Sequence, residues 1–295
     1  MFKNLSPDAI GIFGRQGEML EIALTHRFKG LEIDITEVTK RAKAASVAQA
    51  CKYLASARVK IGGFELPVRW QADEAQFKSD LAQIGTLVEV CKTIGADRCF
   101  TTIRPTSDER PMHDNFKFHV DRIQKVADAI APADLKLGVS ILPAQADRTD
   151  GGFEFIHQID PLVLLINTVQ KANVGLLLDT WTWTVGGGDI EKLRALRGDQ
   201  IVSVRLADLS ADADLANIQP QQKILPAAEG GTIDNVAILG VLEELGFDGP
   251  VAVAQHSSHM KGQAREPIVA KASGLLDSLF SAAGIASEGT LAGAK

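Results

Sequence analysis

The feature that most constrains the fold is a regular alternation of short apolar runs with longer amphipathic segments along the whole chain. Apolar runs of this length predict buried strands, and apolar residues that recur every three or four positions predict helices. The predicted strands span residues 9–14, 30–35, 59–64, 98–103, 136–142, 173–179, 201–206 and 249–254. The predicted helices span residues 16–27, 36–57, 74–94, 116–130, 153–170, 189–196, 234–245 and 265–283.

Eight strand and helix units in 295 residues predict an α/β protein with a single (β/α)8 TIM barrel, whose typical size is about 250 residues. A doubly wound open sheet is the alternative. The turn after the first predicted strand, GIFGRQGEM, lacks the G-x-G-x-x-G pattern that such sheets usually carry there. We expect the barrel to occupy residues 1–283 and the small, polar residues 284–295 to form a disordered tail.

Charge and composition exclude several classes of partner. The net charge of -6 and the absence of a Lys/Arg cluster argue against a nucleic-acid-binding protein. Three cysteines without C-x-x-C spacing predict neither a disulfide framework nor a thiolate zinc site. No segment has the length of a membrane span, and the N-terminal residues lack the pattern of a signal peptide. We therefore expect a cytoplasmic protein without a membrane partner, and a homo-oligomer is compatible with the sequence.

Polar residues follow most of the predicted strands, at the end of the barrel where such proteins keep their active sites. Asp179 is the clearest case, because it ends the continuous apolar run VGLLL. Polar strand ends are also ordinary features of a solvated barrel mouth, so this ring does not define a function by itself. Its members are Arg15, Asp34, Glu65, Arg104, Ser140, Asp179, Arg205, Asp208, Gln255 and His256.

Several segments resemble the sugar phosphate isomerase/epimerase group of xylose-isomerase-like TIM barrels. They are ELPVRWQADEAQFKSDLAQIGTLVEVCKTIGADR, GLLLDTWTW, VSVRLADL and GGTIDNVAILGVLEELGFDGPVAV. The resemblance implies a sugar or polyol substrate at the barrel mouth. It also implies a divalent metal held by Glu, Asp, His and Glu on strands five to eight.

This chain departs from that ligand set at three positions. The four ligand positions fall on Ser140, Asp179, Arg205 and Ala254, and a shift of one residue would place uncharged Gln255 at the last of them. One carboxylate beside a serine is a poor cage for a hard cation, and a guanidinium repels it. We therefore expect no metal or other cofactor, and a bidentate ion pair between Arg205 and Asp179.

Two functional hypotheses follow. The first is a metal-independent isomerase or epimerase of a sugar or sugar derivative, with Asp179, Arg205, His256 and Glu65 as catalytic residues. The second is a catalytically silent relative that binds a carbohydrate or partners an active enzyme. The structural alternatives are a solvated loop position for His256, a turn cap for Glu65 and packing under a loop for the tryptophans. The predicted substrate contacts are Trp70, Arg104, Ser140, Trp181, Lys223 and Gln255.

Overall fold

The computed structural model describes residues 1–149 and 151–286, in which eight parallel strands form a barrel surrounded by helices. With the strands numbered in chain order, their order in the sheet is 3-2-1-8-7-6-5-4. Phe100 closes the barrel between strands four and three: its N–H donates to the Phe64 carbonyl at 2.9 Å, and its carbonyl accepts from the Leu66 N–H at 2.8 Å. The predicted (β/α)8 barrel is confirmed. The barrel strands are Phe2–Leu5, Gly30–Glu32, Lys60–Gly63, Arg98–Ile103, Lys136–Ile141, Val174–Asp179, Ile201–Leu206 and Pro250–Val253.

Helices cover the outside of the barrel, and two of the predicted ones are each split in two. Residues 36–57 break where Ser46 caps the second half by accepting the Gln49 N–H at 3.2 Å. Residues 74–94 break at Gln83. The described helices, α1 to α11, are Gln16–Thr25, Ile35–Ala44, Val47–Ser56, Glu74–Ala82, Ile84–Ile94, Met112–Ile130, Ile159–Val169, Thr180–Val185, Ile190–Arg194, Asn235–Glu244 and Arg265–Ala282.

The first strand lies at Phe2–Leu5, so its prediction at residues 9–14 was wrong. Residues Asp8–Ile10 instead form a single 3-10 turn, which ends at Gly11 with a φ of 75°. The charged Lys3 in the true strand is buried because its ammonium group donates to Ser273 at 2.9 Å and Asp277 at 2.7 Å. Partners some 270 residues away in the chain satisfy this lysine, and a local apolar pattern could not reveal them.

An apolar floor closes the barrel interior. Phe100, Leu177 and Val202 form a buried cluster of their own. A Cβ atom added to Gly138 would lie 3.1 to 3.3 Å from side-chain atoms of these three residues, so Gly138 faces the same cluster. Alternate residues of a strand share a face, so the polar residues two positions beyond Phe100, Gly138 and Leu177 also point into the barrel, above this floor. A register shift between strands six and seven makes Arg205 the Cα partner of Asp179.

Two loops at the carboxyl ends of the strands carry small antiparallel pairings. Asp208–Leu209 pairs with Lys223–Ile224 within the long loop after strand seven. Thr106–Ser107 pairs with Phe153–Glu154 and joins the loops after strands four and five. The first pairing is important for the site because it brings Lys223 over the barrel mouth.

The ordered C-terminal region extends slightly beyond the predicted boundary at residue 283. Ile285 is buried, and its N–H donates to the Phe280 carbonyl at 2.8 Å. The rest of the predicted disordered tail, residues 287–295, lies outside the described residues. None of the helices within residues 1–149 and 151–286 is long and apolar enough to cross a membrane.

Candidate active site

Asp179 ends strand six with both carboxylate oxygens engaged. Oδ1 accepts the Thr182 N–H at 3.0 Å and so caps α8, while Oδ2 contacts the Lys223 ammonium group. The carboxylate is buried, and Lys223 is mostly buried beneath its hairpin. The Lys223 ammonium also lies 5.9 Å from the centre of the Trp181 ring. Lys223 therefore neutralises the charge of Asp179, the one carboxylate at the metal-ligand positions that the resemblance implies.

Arg205 on strand seven pairs with Glu32, and the prediction that it pairs with Asp179 was wrong. Its Nη2 donates to Glu32 Oε2 at 2.9 Å, although Asp179 is its Cα partner on the neighbouring strand. Burial disfavours the charged guanidinium, but the surrounding carboxylates, Glu32 first, outweigh this effect and raise the pKa of Arg205. The guanidinium lies 5.5 Å from the centre of the Phe100 ring in the barrel floor.

Glu32 is held on strand two by three donors, two from strand one and its end and one from strand seven. Asn4 Nδ2 donates to its Oε1 at 3.3 Å, and Ser6 Oγ and Arg205 Nη2 donate to its Oε2 at 2.5 and 2.9 Å. A carboxylate with this many donors is fixed in position. The pair of Glu32 and Arg205 is therefore held in place in a mostly buried position.

Glu65 follows strand three at the closure of the barrel and lies in the same mouth. Glu65 is exposed, and its backbone pairs with Phe100 where the barrel closes. Desolvation raises the pKa of Glu65 to about 7; the charge of Arg205 lowers it, and those of Glu32 and Asp8 raise it. A carboxyl group that titrates near neutral pH can accept and return a proton.

His256 lies at the edge of the mouth and supports the Lys223 hairpin. Its backbone N–H donates to the Lys223 carbonyl at 3.0 Å, and its Nδ1 lies 2.8 Å from Ser258 Oγ. Desolvation lowers the pKa of His256, as do the neighbouring charges of His259 and Lys223, while Asp147 acts in the opposite direction. The ring is part-buried, which distinguishes it from a freely solvated loop histidine.

Trp70 lies outside the barrel, which contradicts the prediction that it contacts substrate. It is buried, and its indole N–H donates to Thr101 Oγ1 at 2.8 Å. Thr101 alternates with the inward-facing Phe100, so this bond lies on the helix side of the sheet. The Trp70 ring also packs edge-on against His119 of α6, with ring centres 5.0 Å apart.

Gln255 also has a structural role in place of the predicted substrate contact. It is buried, and its Nε2 donates to the Ile10 carbonyl at 3.1 Å, which fixes the loop after strand one. Arg104 is exposed where strand four ends. Ser140 faces the barrel interior and is the Cα partner of Thr102. Arg104 and Ser140 thus remain at the mouth, as predicted from their strand ends.

Trp181 belongs to α8 because the helix starts directly after Asp179, so the strand does not continue through it. The ring is buried beside Lys223, and its Nε1 has no hydrogen-bond partner in the described part of the chain. Trp183 differs, since its Nε1 donates to the Asp189 carbonyl at 3.1 Å. Trp181 therefore keeps an available donor near the ion pair, whereas Trp183 is structural.

Sequence reasoning missed Glu32 and selected Asp34 instead. Asp34 caps α2, with Oδ1 accepting the N–H groups of Thr36 at 2.9 Å and Glu37 at 3.3 Å. The alternation in GLEIDI places Glu32 and Asp34 on one face, and it was the signal that could have identified both. The expectation that functional residues follow a strand favoured Asp34, although Glu32 lies within the strand.

The parallel barrel, with charged residues gathered at the carboxyl ends of its strands, defines an enzyme-like TIM barrel. A family model described as "Xylose isomerase-like TIM barrel" matches residues 20–279, and the chain belongs to this family. The resemblance recognised from the sequence is confirmed.

Known proteins similar to this chain include an inosose isomerase from Bacillus subtilis (strain 168), which is 26% identical over 181 residues. That match covers 61% of this chain and 62% of the relative, so the chain spans less than two thirds of that protein's length. A solved xylose isomerase domain protein from Alicyclobacillus acidocaldarius has a TM-score of 0.83 at 20% identity, covering 96% of this chain and 99% of that one. An IolI protein solved with a bound zinc atom has a TM-score of 0.77 at 19% identity, covering 96% and 98%. The structural likenesses establish the fold.

Proposed function

We propose that this protein is an isomerase or epimerase of an uncharged sugar or keto-cyclitol and that it works without a divalent metal. An inosose is a cyclitol with a ketone, and the name of the curated relative supports a substrate of this class. The observation that carries the proposal is the combination of two fixed cations, Arg205 and Lys223, with a near-neutral carboxyl group, Glu65, in one barrel mouth.

The residues at the metal positions of the family do not fit a divalent cation. Ser140, Asp179, Arg205 and Ala254 supply a single carboxylate, and both of its oxygens are already engaged. A metal at this position would also meet the positive charges of Arg205 and Lys223. In residues 1–149 and 151–286, no group of three or more His, Cys, Asp or Glu side chains could hold a metal ion.

The two cations supply the electrostatic stabilisation that the reaction needs. When a proton leaves the carbon beside a carbonyl group, the C–H electron pair forms a C=C bond and the carbonyl electrons move to oxygen. A fixed positive charge stabilises the resulting enediolate, most strongly where water is excluded. Arg205 Nε is buried without a partner in the described residues, and Trp181 Nε1 is another such donor. Both are candidates to donate to substrate oxygens.

Glu65 is the proposed proton carrier. As a carboxylate it accepts the proton from the first carbon, and as a carboxylic acid it returns that proton to the neighbouring carbon. One group thus serves both half-reactions of an isomerisation, and the pKa of about 7 suits both directions. Epimerisation needs a second proton donor on the opposite face of the substrate, and His256 is the candidate for that role.

The test uses chelator-treated protein in D2O and monitors by NMR whether deuterium is incorporated into ketoses, aldoses and inososes. We expect exchange with at least one substrate, and a loss of about 10²-fold or more in Glu65→Gln. Glu37→Gln is the matched control, because Glu37 pairs with Arg41 within α2 on the outside of the barrel, and it should retain activity. The silent-relative hypothesis predicts that a ligand stabilises the wild type and the Glu37→Gln control against heat but that neither protein catalyses exchange. That outcome would overturn the proposed reaction.

A further inference from the structure

The Arg205 side chain does not interact with the carboxylate to which its strand position would assign it. Arg205 and Asp179 are Cα partners on adjacent strands, yet the guanidinium bonds to Glu32 on strand two. Strands eight and one lie between strands seven and two in the sheet. A structural feature must therefore explain why Arg205 pairs with Glu32 and not with Asp179, whose backbone lies on the adjacent strand.

We propose that Glu32 is a positioning residue, which holds the Arg205 guanidinium and offsets its charge, and thereby keeps Glu65 available as the proton carrier. This inference rests on the proposed function, since Glu65 acts there as the base. The support comes from the contacts of Glu32, the small residues on strand eight and the charges that face Glu65.

The contacts of Glu32 fix its carboxylate before any ligand binds. Asn4 and Ser6 donate to it from strand one and the residue after it, in addition to Arg205. Oxygen atoms oriented in this way form a preorganised acceptor for a guanidinium. Asp179 offers no comparable acceptor because Lys223 and the α8 cap occupy its two oxygens.

Small side chains on strand eight leave space for the arginine. Ala252 is the Cα partner of Arg205, and Ala254 follows at the end of the same strand. Residues two apart on a strand share a face, so both alanines border the path from strand seven to Glu32. We therefore infer that Ala254, at the last metal position of the family, leaves room for the Arg205 guanidinium to extend from strand seven to Glu32.

The Glu32 and Arg205 pair also sets the charge that Glu65 experiences. The charged groups that act on Glu65 are Arg205, Glu32 and Asp8. With Glu32 in place, its negative charge opposes the effect of Arg205 at the position of Glu65. Without Glu32, the guanidinium would be free to move toward the remaining carboxylates, and it would favour the ionised form of Glu65.

The experiment is a pH titration of the Glu65 carboxyl carbon by NMR in protein labelled with [5-13C]glutamate, with its resonance identified by its loss in Glu65→Gln. We expect Glu32→Gln to lower the Glu65 midpoint by about one pH unit, because a like charge is removed and an opposite charge is released. Glu32→Asp, which shortens the side chain and keeps its charge, should shift it in the same direction by less. Glu32→Asp provides the test if Glu32→Gln does not fold.

Glu74→Gln is the control, because it removes the carboxylate partner of a mostly buried arginine, Arg122, outside the barrel mouth. It should leave the Glu65 midpoint unchanged. An unchanged midpoint in both Glu32 variants would overturn the inference. The titration needs no substrate, so a shifted midpoint in a protein without turnover would contradict the proposed function alone. Active protein with an unshifted midpoint would contradict the positioning role alone.

Discussion

Lys223 and Asp179, 44 residues apart in the chain, form an ion pair across the mouth of the barrel. Asp179 is fixed at the end of a strand, whereas Lys223 arrives on a hairpin from the loop after the next strand. The pair places a positive group beside the buried carboxylate at the end of strand six. The behaviour of the site under mutation should therefore depend on Lys223 as much as on Asp179.

Lys223→Met should destabilise the protein by about 3 kcal/mol, because it leaves the Asp179 carboxylate buried without its cation. Adding Asp179→Asn to this variant should recover much of the loss, since the amide carries no charge to desolvate. Urea denaturation of the wild type, both single variants and the double variant measures the coupling. Lys192→Met, which breaks the exposed pair with Asp160, should cost less than about 1 kcal/mol. Equal losses at the two lysines would contradict the buried pair.

The wild-type protein should contain no stoichiometric divalent metal after a chelator control. Ser140→Glu, Arg205→His and Ala254→Glu together restore the ligand types of the family around Asp179. Adding Lys223→Met to these three should increase Mn²⁺ affinity about tenfold further, because it removes a competing cation from the carboxylate. Isothermal titration calorimetry compares the two variants. Equal affinities would show that Lys223 does not compete with a metal for Asp179.

Acidification should destabilise the protein through His119. Burial lowers the pKa of His119 to about 4 from an ordinary value of 6.5. A base with a depressed pKa in the folded state binds its proton more readily when unfolded, so its contribution is complete above pH 6.5 and is lost as the pH falls toward 4. The full loss corresponds to about 3 kcal/mol.

His119→Gln should flatten the stability profile between pH 6.5 and 4, because the amide does not titrate across this range. Denaturant unfolding at several pH values measures the slope. His113→Gln is the matched control on the exposed side of the same helix and should keep the wild-type slope. A wild-type slope in His119→Gln would assign the acid sensitivity to other groups.

The two tryptophans should respond differently to replacement by phenylalanine. Trp70→Phe removes the bond to Thr101 on the helix side of the sheet and should cost about 1 kcal/mol of stability without affecting ligand binding. Trp181→Phe removes an unpartnered donor at the mouth and should weaken the binding of an exchange-competent sugar or inosose. Thermal shift with the ligand separates the two effects. Weaker ligand binding in Trp70→Phe would show that Trp70 contributes to the binding site.

Some of the site was predictable because strand ends are local features. The apolar run VGLLL located Asp179, and GGFEL located Glu65 just after the third strand. The residue types at the four positions that the resemblance assigns to metal ligands could also be read directly from the chain, and the proposed absence of a metal rests on them. The pairing of the charges was not visible. The contact between Arg205 and the Glu32 carboxylate joins residues 173 apart, whereas the ligand positions implied by the resemblance assigned Arg205 to Asp179.

The sequence by itself determined the barrel, since hydrophobic periodicity reflects which face of each local segment is buried. It also determined which residue types stand at the mouth. Only the tertiary structure decided which cation meets which carboxylate, and that Trp70 packs outside the barrel. The physical reason is that ion pairing depends on the packing of side chains from several strands and a long hairpin. No local pattern records those distances.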